Sequence, residues 1–366
     1  MWGKRIATTV VVVTMAVAVG AAPAAWAGGV GDPMYGDLNA DGLRDRASLG
    51  VVQPNRCVVK VELGKRGGGY KSPKTYTYLE DTGTDPISCP DLGVAVDLGG
   101  DGSTELVLAW FAGRPPTADH DLLVLRNYQP AAGFDAIHQP SYIGLADFNG
   151  DGRQDVYQWT DQGEGFVTYL NTSSGGLTPG PVRWCAGWPQ FRLADFNGNG
   201  AMDVVISYVE GCGDAASGVV VIRDDGTKNH IRREVPGENY WSVETQDLNG
   251  DGRPDLIVTD NGSDEVRHYL GNGDATFTES PRAVRDKVSI NGSRKTKIAV
   301  LDNDYATTQA KISVVTAPQH GTVRVTSDRK VLYTPSSGKA TSDRFVYRLT
   351  EHGRTSNATV NVTVRP

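Results

Sequence analysis

Five nine-residue segments place oxygen-bearing side chains at one shared spacing: DLNADGLRD (37–45), DLGGDGSTE (97–105), DFNGDGRQD (147–155), DFNGNGAMD (195–203) and DLNGDGRPD (247–255). Their starts lie 60, 50, 48 and 52 residues apart. When such a segment curls, the side-chain oxygens at positions 1, 3 and 5 converge. The Gly at position 6 permits the sharp turn that brings the carbonyl of position 7 to the same point, and a carboxylate at position 9 closes the cage. An all-oxygen donor set with six to eight tolerant ligands selects a hard cation, calcium before magnesium. The alternative chemistry is a carboxylate-rich turn that satisfies its own backbone and holds no metal.

The elements that must hold these segments are strands. Apolar runs such as Leu106-Val107-Leu108, Val204-Val205-Ile206 and Leu256-Ile257-Val258 follow the copies, so each motif occupies a loop between two strands. A helix–loop–helix calcium site (EF-hand) needs Glu at position 12, where this chain holds Ser48, Leu108, Gln158, Ile206 and Val258, and that reading fails. With 44 Gly and 19 Pro among 366 residues and short Val/Ile/Tyr runs between turn residues, the chain reads as all-β. Its 14 Tyr, 8 Phe and 7 Trp exclude a disordered chain, and a mean hydropathy of −0.34 excludes a multi-span membrane protein.

The wording of the copies resembles the FG-GAP or VCBS repeats of the integrin α-subunit head and of many secreted bacterial proteins. "ADFNGDGRQD", "QDLNGDGRPD" and the following "YLGNGDATF" (269–277) carry the likeness, which spans roughly residues 31–282. The resemblance implies that each repeat is a four-stranded β-propeller blade with a calcium loop. Carried over residue by residue, the implied ligands are Asp37, Asn39, Asp41 and Asp45; Asp147, Asn149, Asp151 and Asp155; and Asp247, Asn249, Asp251 and Asp255. Two copies depart from the pattern. Gly99 leaves Asp97, Asp101 and Glu105 in the second, and Asn199 replaces a carboxylate in the fourth, leaving Asp195, Asn197, Asn199 and Asp203. Loops 1, 3 and 5 are therefore expected to fill first, loop 4 weakly, and loop 2 only with a substituting water. Five copies predict five blades, since seven would leave only ~36 residues each, near the lower limit for four strands. The N-terminal strand is expected to complete the last blade and close the ring.

At the N-terminus Lys4 and Arg5, an apolar stretch over 6–19 and Ala25-Trp26-Ala27 predict a secretion signal cleaved after Ala27, leaving a released extracellular chain with no membrane span. Export makes Cys57, Cys89, Cys185 and Cys212 readable as two disulfides. Three connectivities are possible, and closeness in sequence favours Cys57 with Cys89 and Cys185 with Cys212, each closing one local unit; no zinc spacing is present. The domains expected are thus a signal (1–27), a propeller (28–282) and a C-terminal unit (283–366).

From about residue 283 the motif disappears and strands are expected at 297–301, 311–316, 321–326, 330–334, 344–349 and 359–364. The alternation of Val360, Val362 and Val364 with Asn361 and Thr363 predicts a half-buried antiparallel strand in a small β-sandwich. "VLDND" (300–304), "TAPQHGTVRV" (316–325), "LYTP" (332–335) and "DRFVYRL" (343–349) resemble cadherin-like or bacterial Ig-like modules, with Asp302 and Asp304 read first as a turn and second as a calcium contact. Charge divides the chain: net +8 over 283–366 and −17 over 28–282, where fourteen acids lie in the motif loops. The basic segment reads first as a solvated surface and second as a contact for an anionic wall polymer; an exported acidic chain does not point to nucleic acid.

No catalytic residue is assigned. The six histidines form no HExxH pair, no GxSxG elbow occurs, and GKRGGGYKS (64–72) breaks the phosphate-loop order and reads as a hairpin. The expected function is a calcium-binding adhesion or binding module whose ligand is a cell-surface carbohydrate, a cell-wall polymer or a protein. A lectin with Trp110, Trp159, Trp184, Trp188 and Trp241 in sugar pockets, and a propeller-type polysaccharide lyase, are the alternatives; packing between blades is the competing role for these tryptophans. Loops 113–121 and 211–218 are the variable segments expected to shape the ligand face. Oligomeric state leaves no signal in the sequence.

Overall fold

The computed structural model describes residues 31–52, 56–80, 89–112, 121–160, 165–187, 190–212, 216–234, 240–292, 294–336, 341–351 and 353–365. The expected signal, Trp188, His120, His352 and parts of both variable loops lie outside the described residues. No helix occurs among them, and none is therefore long and apolar enough to cross a membrane.

Residues 31–280 form five successive four-stranded antiparallel sheets, each in simple up-and-down order. They comprise Met34–Gly36, Asp45–Val52, Arg56–Glu62 and Lys74–Glu80; Leu92–Val96, Glu105–Ala109, Leu122–Arg126 and Gln129–Phe134; Tyr142–Ala146, Asp155–Trp159, Phe166–Asn171 and Leu177–Trp184; Gln190–Ala194, Asp203–Tyr208, Ser217–Ile222 and Lys228–Glu234; and Trp241–Gln246, Asp255–Asp260, Glu265–Gly271 and Phe277–Ser280. Each motif joins the first strand of its sheet to the second, as the flanking apolar runs predicted.

Strand alternation makes these sheets stack. Leu106 and Leu108 face Val59 and Val61 of the first sheet, while the intervening Val107 faces Ile143 and Val156 of the third. Val204 and Ile206 likewise meet Tyr157 and Phe166 of the third sheet, and Val205 meets Val243 and Val258 of the fifth. A middle strand covered on both faces is buried throughout, which is why Glu105–Ala109 and Asp203–Tyr208 read as unbroken apolar runs. Each such side chain contributes about 1.5–3 kcal/mol of burial.

Ring closure through the N-terminal strand is not found. Met34–Gly36 pairs with Asp45–Val52 inside the first sheet, and among the described residues no strand pairing or shared apolar cluster joins the first sheet to the fifth. The far face of the first sheet is mostly polar: Arg46 is bonded to Glu62 at 2.6 Å beside Ser48, Lys60 and Thr75, with Val58 and Val52 its aliphatic residues.

Both disulfides pair as expected, Cys57 with Cys89 and Cys185 with Cys212, but for a different reason. Each ties one sheet to the segment entering or belonging to the next, rather than closing a single unit. Cys57 lies on the third strand of the first sheet and Cys89 just before Leu92; Cys185 follows the third sheet, and Cys212 lies in the connection between the second and third strands of the fourth. The four described tryptophans pack. Trp110 and Trp241 are buried in the clusters between sheets, Trp159 lies against Phe191, and Trp184 against Tyr208 and His230.

The C-terminal unit is a two-sheet sandwich. One sheet orders Asp286–Asn291, Arg354–Arg365, Ser342–Glu351 and Lys311–Thr316; the other orders Thr296–Ile298, Val331–Pro335 and Gly321–Val325. Phe345, Tyr347, Leu349, Val360 and Val362 face Tyr333, Val331 and Ile298 across the core. Asp286–Asn291 escaped the sequence reading, because it pairs in parallel with a strand some seventy residues later and carries only Val288 and Ile290 toward the core.

This sandwich docks on the far face of the fifth sheet. Glu351 is 4% exposed and accepts hydrogen bonds from Ser280 Oγ (2.9 Å), Thr307 Oγ1 (2.9 Å) and Thr307 N–H (3.3 Å), and it meets His268 Nδ1 at 2.6 Å. Arg282 and Tyr305 exchange backbone bonds beside it, and Arg354 pairs with Glu279. Burial pushes the Glu351 carboxyl up, but the bonds from His268, Ser280 and Thr307 outweigh it and bring it down to about 2.

Candidate metal centres

The five motifs fold into near-identical turns. In the third, Asp147 accepts N–H bonds from Gly150 (2.7 Å) and Gly152 (2.8 Å), Asn149 Oδ1 accepts from Asp151 (3.0 Å), and Asp151 Oδ1 accepts from Arg153 (2.9 Å). Gly150 and Gly152 hold φ of 69° and 84°, which draws positions 1, 3 and 5 around one point. The first loop repeats this with Asp37, Asn39 and Asp41, where Ala40 takes the left-handed φ of 55°, and the fifth repeats it with Asp247, Asn249 and Asp251. In the fourth, Asp195, Asn197 and Asn199 do the same, although the Asn197 amide also donates to Asp224 (3.0 Å). The second loop keeps Asp97 and Asp101, and its Gly99 N–H, where the third-position ligand is missing, donates instead to Asn171 of the next sheet (2.9 Å).

Position 9 does more than spacing reveals. Asp45, Asp155, Asp203 and Asp255 are fully buried. One oxygen of each accepts the N–H of motif position 2: Leu38, Phe148, Phe196 and Leu248 at 2.7–3.0 Å. The other accepts an N–H just beyond or at the end of the third strand: Gly64, Asn171, Asp224 and Gly271 at 2.7–2.8 Å. Glu105, one methylene longer, keeps the bond to Leu98 (2.9 Å) and reaches Arg126 at 3.3 Å instead. The last acid is thus a pin between the loop and the middle of its own sheet. Burial pushes Asp155, Asp203 and Asp255 up to about 6 against the pull of those N–H bonds, and the loop aspartates, such as Asp147 and Asp151 beside Asp155, push the same way. Glu105 is raised chiefly by burial and drawn back by Leu98 and Arg126.

Neighbouring sheets latch the loops. The Leu38 carbonyl accepts from Tyr128 Oη (3.3 Å), that of Asp97 from Asn171 Nδ2 (2.8 Å), that of Asp147 from Met202 N–H (2.7 Å) and that of Phe196 from Ala275 N–H (3.1 Å). The fifth has no sixth sheet to meet, and Thr308 of the sandwich donates to Leu248 (3.1 Å) in its stead. Arg153 of loop 3 lies against Gly100 of loop 2, and Ala201 of loop 4 against Gly150 of loop 3, so the loops run along one rim. Tyr128, Asn171 and Thr308 left no signal in the sequence, since Tyr128 and Asn171 meet partners 90 and 74 residues away and Thr308 belongs to another domain.

The donor set has the chemistry of a hard-cation site, carboxylate and amide oxygens only, but Asp147 Oδ1 already accepts from the Asn149 and Gly150 N–H groups and Asp151 Oδ2 from Asn149 Nδ2 and Arg153, so a cation would displace some of these bonds. Among the described residues no group of three or more His, Cys, Asp or Glu is disposed to hold a metal, so a cation here would draw on Asn and backbone oxygens as well.

An all-β chain with repeated acidic turns and a terminal sandwich belongs to a definable class. Residues 147–206 match the model of the FG-GAP-like repeat, and residues 278–363 match that of the bacterial Ig domain. The chain thus carries an FG-GAP-like repeat and a C-terminal bacterial Ig domain, a combination that suggests an extracellular binding or adhesion-type protein. No curated protein matches it.

Proposed function

We propose that the chain is a secreted, calcium-binding, non-catalytic adhesion protein, whose five sheets are blades of an open propeller-type scaffold and whose loop rim holds calcium. The observation that carries this reading is the fivefold repetition of one acidic turn along a single rim, with ligand positions 1, 3 and 5 kept well formed in loops 1, 3 and 5. Fourteen acids concentrated there repel one another, and bound calcium relieves that repulsion and stabilises the fold by mass action. Two disulfides support an oxidising, extracellular location.

The packed tryptophans speak against a lectin built on them. The Ser280, His268 and Glu351 group at the domain junction has the composition of a hydrolase triad, but Ser280 donates its hydroxyl proton to Glu351 and the group is buried. The ligand class expected is a surface carbohydrate, wall polymer or protein.

The test is thermal unfolding of the chain lacking residues 1–27 in millimolar calcium and in chelator. Calcium is expected to raise Tm, and Asp147→Ala with Asp247→Ala to remove most of that rise. An unchanged Tm in both comparisons means that the loops are turns. Co-sedimentation with insoluble polysaccharides and bacterial cell wall, with calcium and with chelator, then tests adhesion.

A further inference from the structure

The +8 charge of the Ig-like domain is distributed unevenly, because its carboxylates are turned inward. Asp304 accepts from Val284 N–H (2.6 Å) and Tyr347 Oη, and Asp286 is buried beside them. Asp343 accepts from Gln319 and His320 N–H groups (3.0 Å each) and Tyr333 Oη (2.8 Å). Glu351 is spent on the domain junction, and Asp328 pairs with Lys297 at 2.9 Å on the smaller sheet. Of six acids only Asp302, at a turn, is left at the surface without such a role.

The outer face of the four-stranded sheet collects the opposite charge. Lys287, Asn361 and Arg344 form one cross-strand row, Ser313, Arg348 and Asn357 a second, and Lys311 stands opposite Thr350. Lys287, Arg344 and Lys311 are exposed, and Arg348 is half-buried, its Nε on Asn357 Oδ1 (3.0 Å). No carboxylate shares this face, and the residues between the cations are Asn, Ser, Thr and Val346, with Val315 exposed at the bulge of the edge strand. Strand spacing puts Lys287 and Arg344 roughly 10 Å apart across the sheet and Arg344 and Arg348 roughly 13 Å apart along it.

We propose that this sheet face binds an anionic polysaccharide, its Lys and Arg groups neutralising the polymer's charges and its Asn, Ser and Thr groups bonding sugar hydroxyls. A protein partner would call for an aromatic or larger aliphatic centre depleted of Lys, a membrane surface for several inserted apolar side chains, and single-stranded nucleic acid for stacking aromatics; the face has no aromatic, and its apolar groups are Val346 and Val315 only. The inference deepens the adhesion reading and rests on it for its setting, but not on calcium, since no residue of the face belongs to a motif loop.

The probe is polygalacturonate on beads, with neutral dextran beads as control, and the chain lacking residues 1–27 is tested with calcium and with chelator. Retention on polygalacturonate is expected at about 50 mM salt and is expected to weaken about tenfold or more by about 300 mM. Lys287→Gln with Arg344→Gln and Arg348→Gln is expected to lower affinity at least about tenfold, while Arg324→Gln with Lys330→Gln on the other sheet stays within about twofold. All five positions are surface substitutions, and unchanged melting curves verify the fold. Equal retention of the triple variant, or equal retention on dextran, overturns the proposal and leaves adhesion standing. No retention on polygalacturonate or cell wall sinks both. Tighter binding to phosphatidylglycerol vesicles than to polygalacturonate, or low-salt self-association that the polymer does not compete with, assigns the face to another partner and refutes the proposal.

Discussion

Replacing Asp155 by Ala separates the two roles a motif carboxylate can play. Asp155 is fully buried, and its two oxygens hold the N–H groups of Phe148 and Asn171 at 2.8 and 2.7 Å. Truncation strands both donors in the interior, at about 1–3 kcal/mol each, so a loss of about 3–4 kcal/mol is expected whether or not calcium is present. At this domain size that corresponds to a fall of roughly 10 °C in Tm. Asp147→Ala removes bonds to the exposed amides of Gly150 and Gly152, which water can replace, and is expected to cost within about 1 kcal/mol in chelator. Its larger effect should appear only as lost calcium stabilisation. Asp155→Asn should fall between the two, because its amide keeps one acceptor but turns a donor toward the other N–H. Calorimetry of the three variants in calcium and in chelator reads all of this. If Asp155→Ala costs under about 1 kcal/mol in chelator, the pin is not structural and the reasoning fails.

Three further outcomes are expected. Glu351 is held at about 2 against roughly 4.3 when unfolded, so its carboxylate contributes about 3 kcal/mol above pH 4 that disappears as pH falls through 2; Glu351→Gln should flatten that part of the Tm-versus-pH curve, and parallel curves would refute it. Asn171→Ala, which loses side-chain bonds to Gly99 N–H and to the Asp97 and Gln154 carbonyls, should cost about 2–4 kcal/mol by chemical denaturation and raise amide exchange in loop 2 of the neighbouring sheet, not only in its own. Cys185→Ser with Cys212→Ser should lower stability by about 3 kcal/mol, measurable as a shifted denaturation midpoint, with the earliest exchange at the junction of the third and fourth sheets.

Local chemistry was legible from the residues. The five motifs announced turns between strands because Asp, Asn and Gly at fixed offsets satisfy their own backbone over a few residues, and Leu106-Val107-Leu108 announced a strand, which the structure covers on both faces. The disulfide pairing followed from proximity in sequence, although its bridging of consecutive sheets did not. The pin role of Asp155 was hidden, since one of its two partners, Asn171, is a strand away.

What the sequence by itself determined is what short range controls: the strands, the shape of each loop, the class of donor offered to a cation, and the break near residue 283. Only the tertiary structure decided how the units end. The far face of the first sheet, the Thr308 latch on Leu248 and the Glu351 junction together terminate a stack of five sheets, and the last two depend on groups that meet across domains. The direction of charge is of the same kind. Whether an acid faces water or a buried N–H is set by which neighbour covers it, so a net charge counted along the chain does not locate the basic face that folding creates.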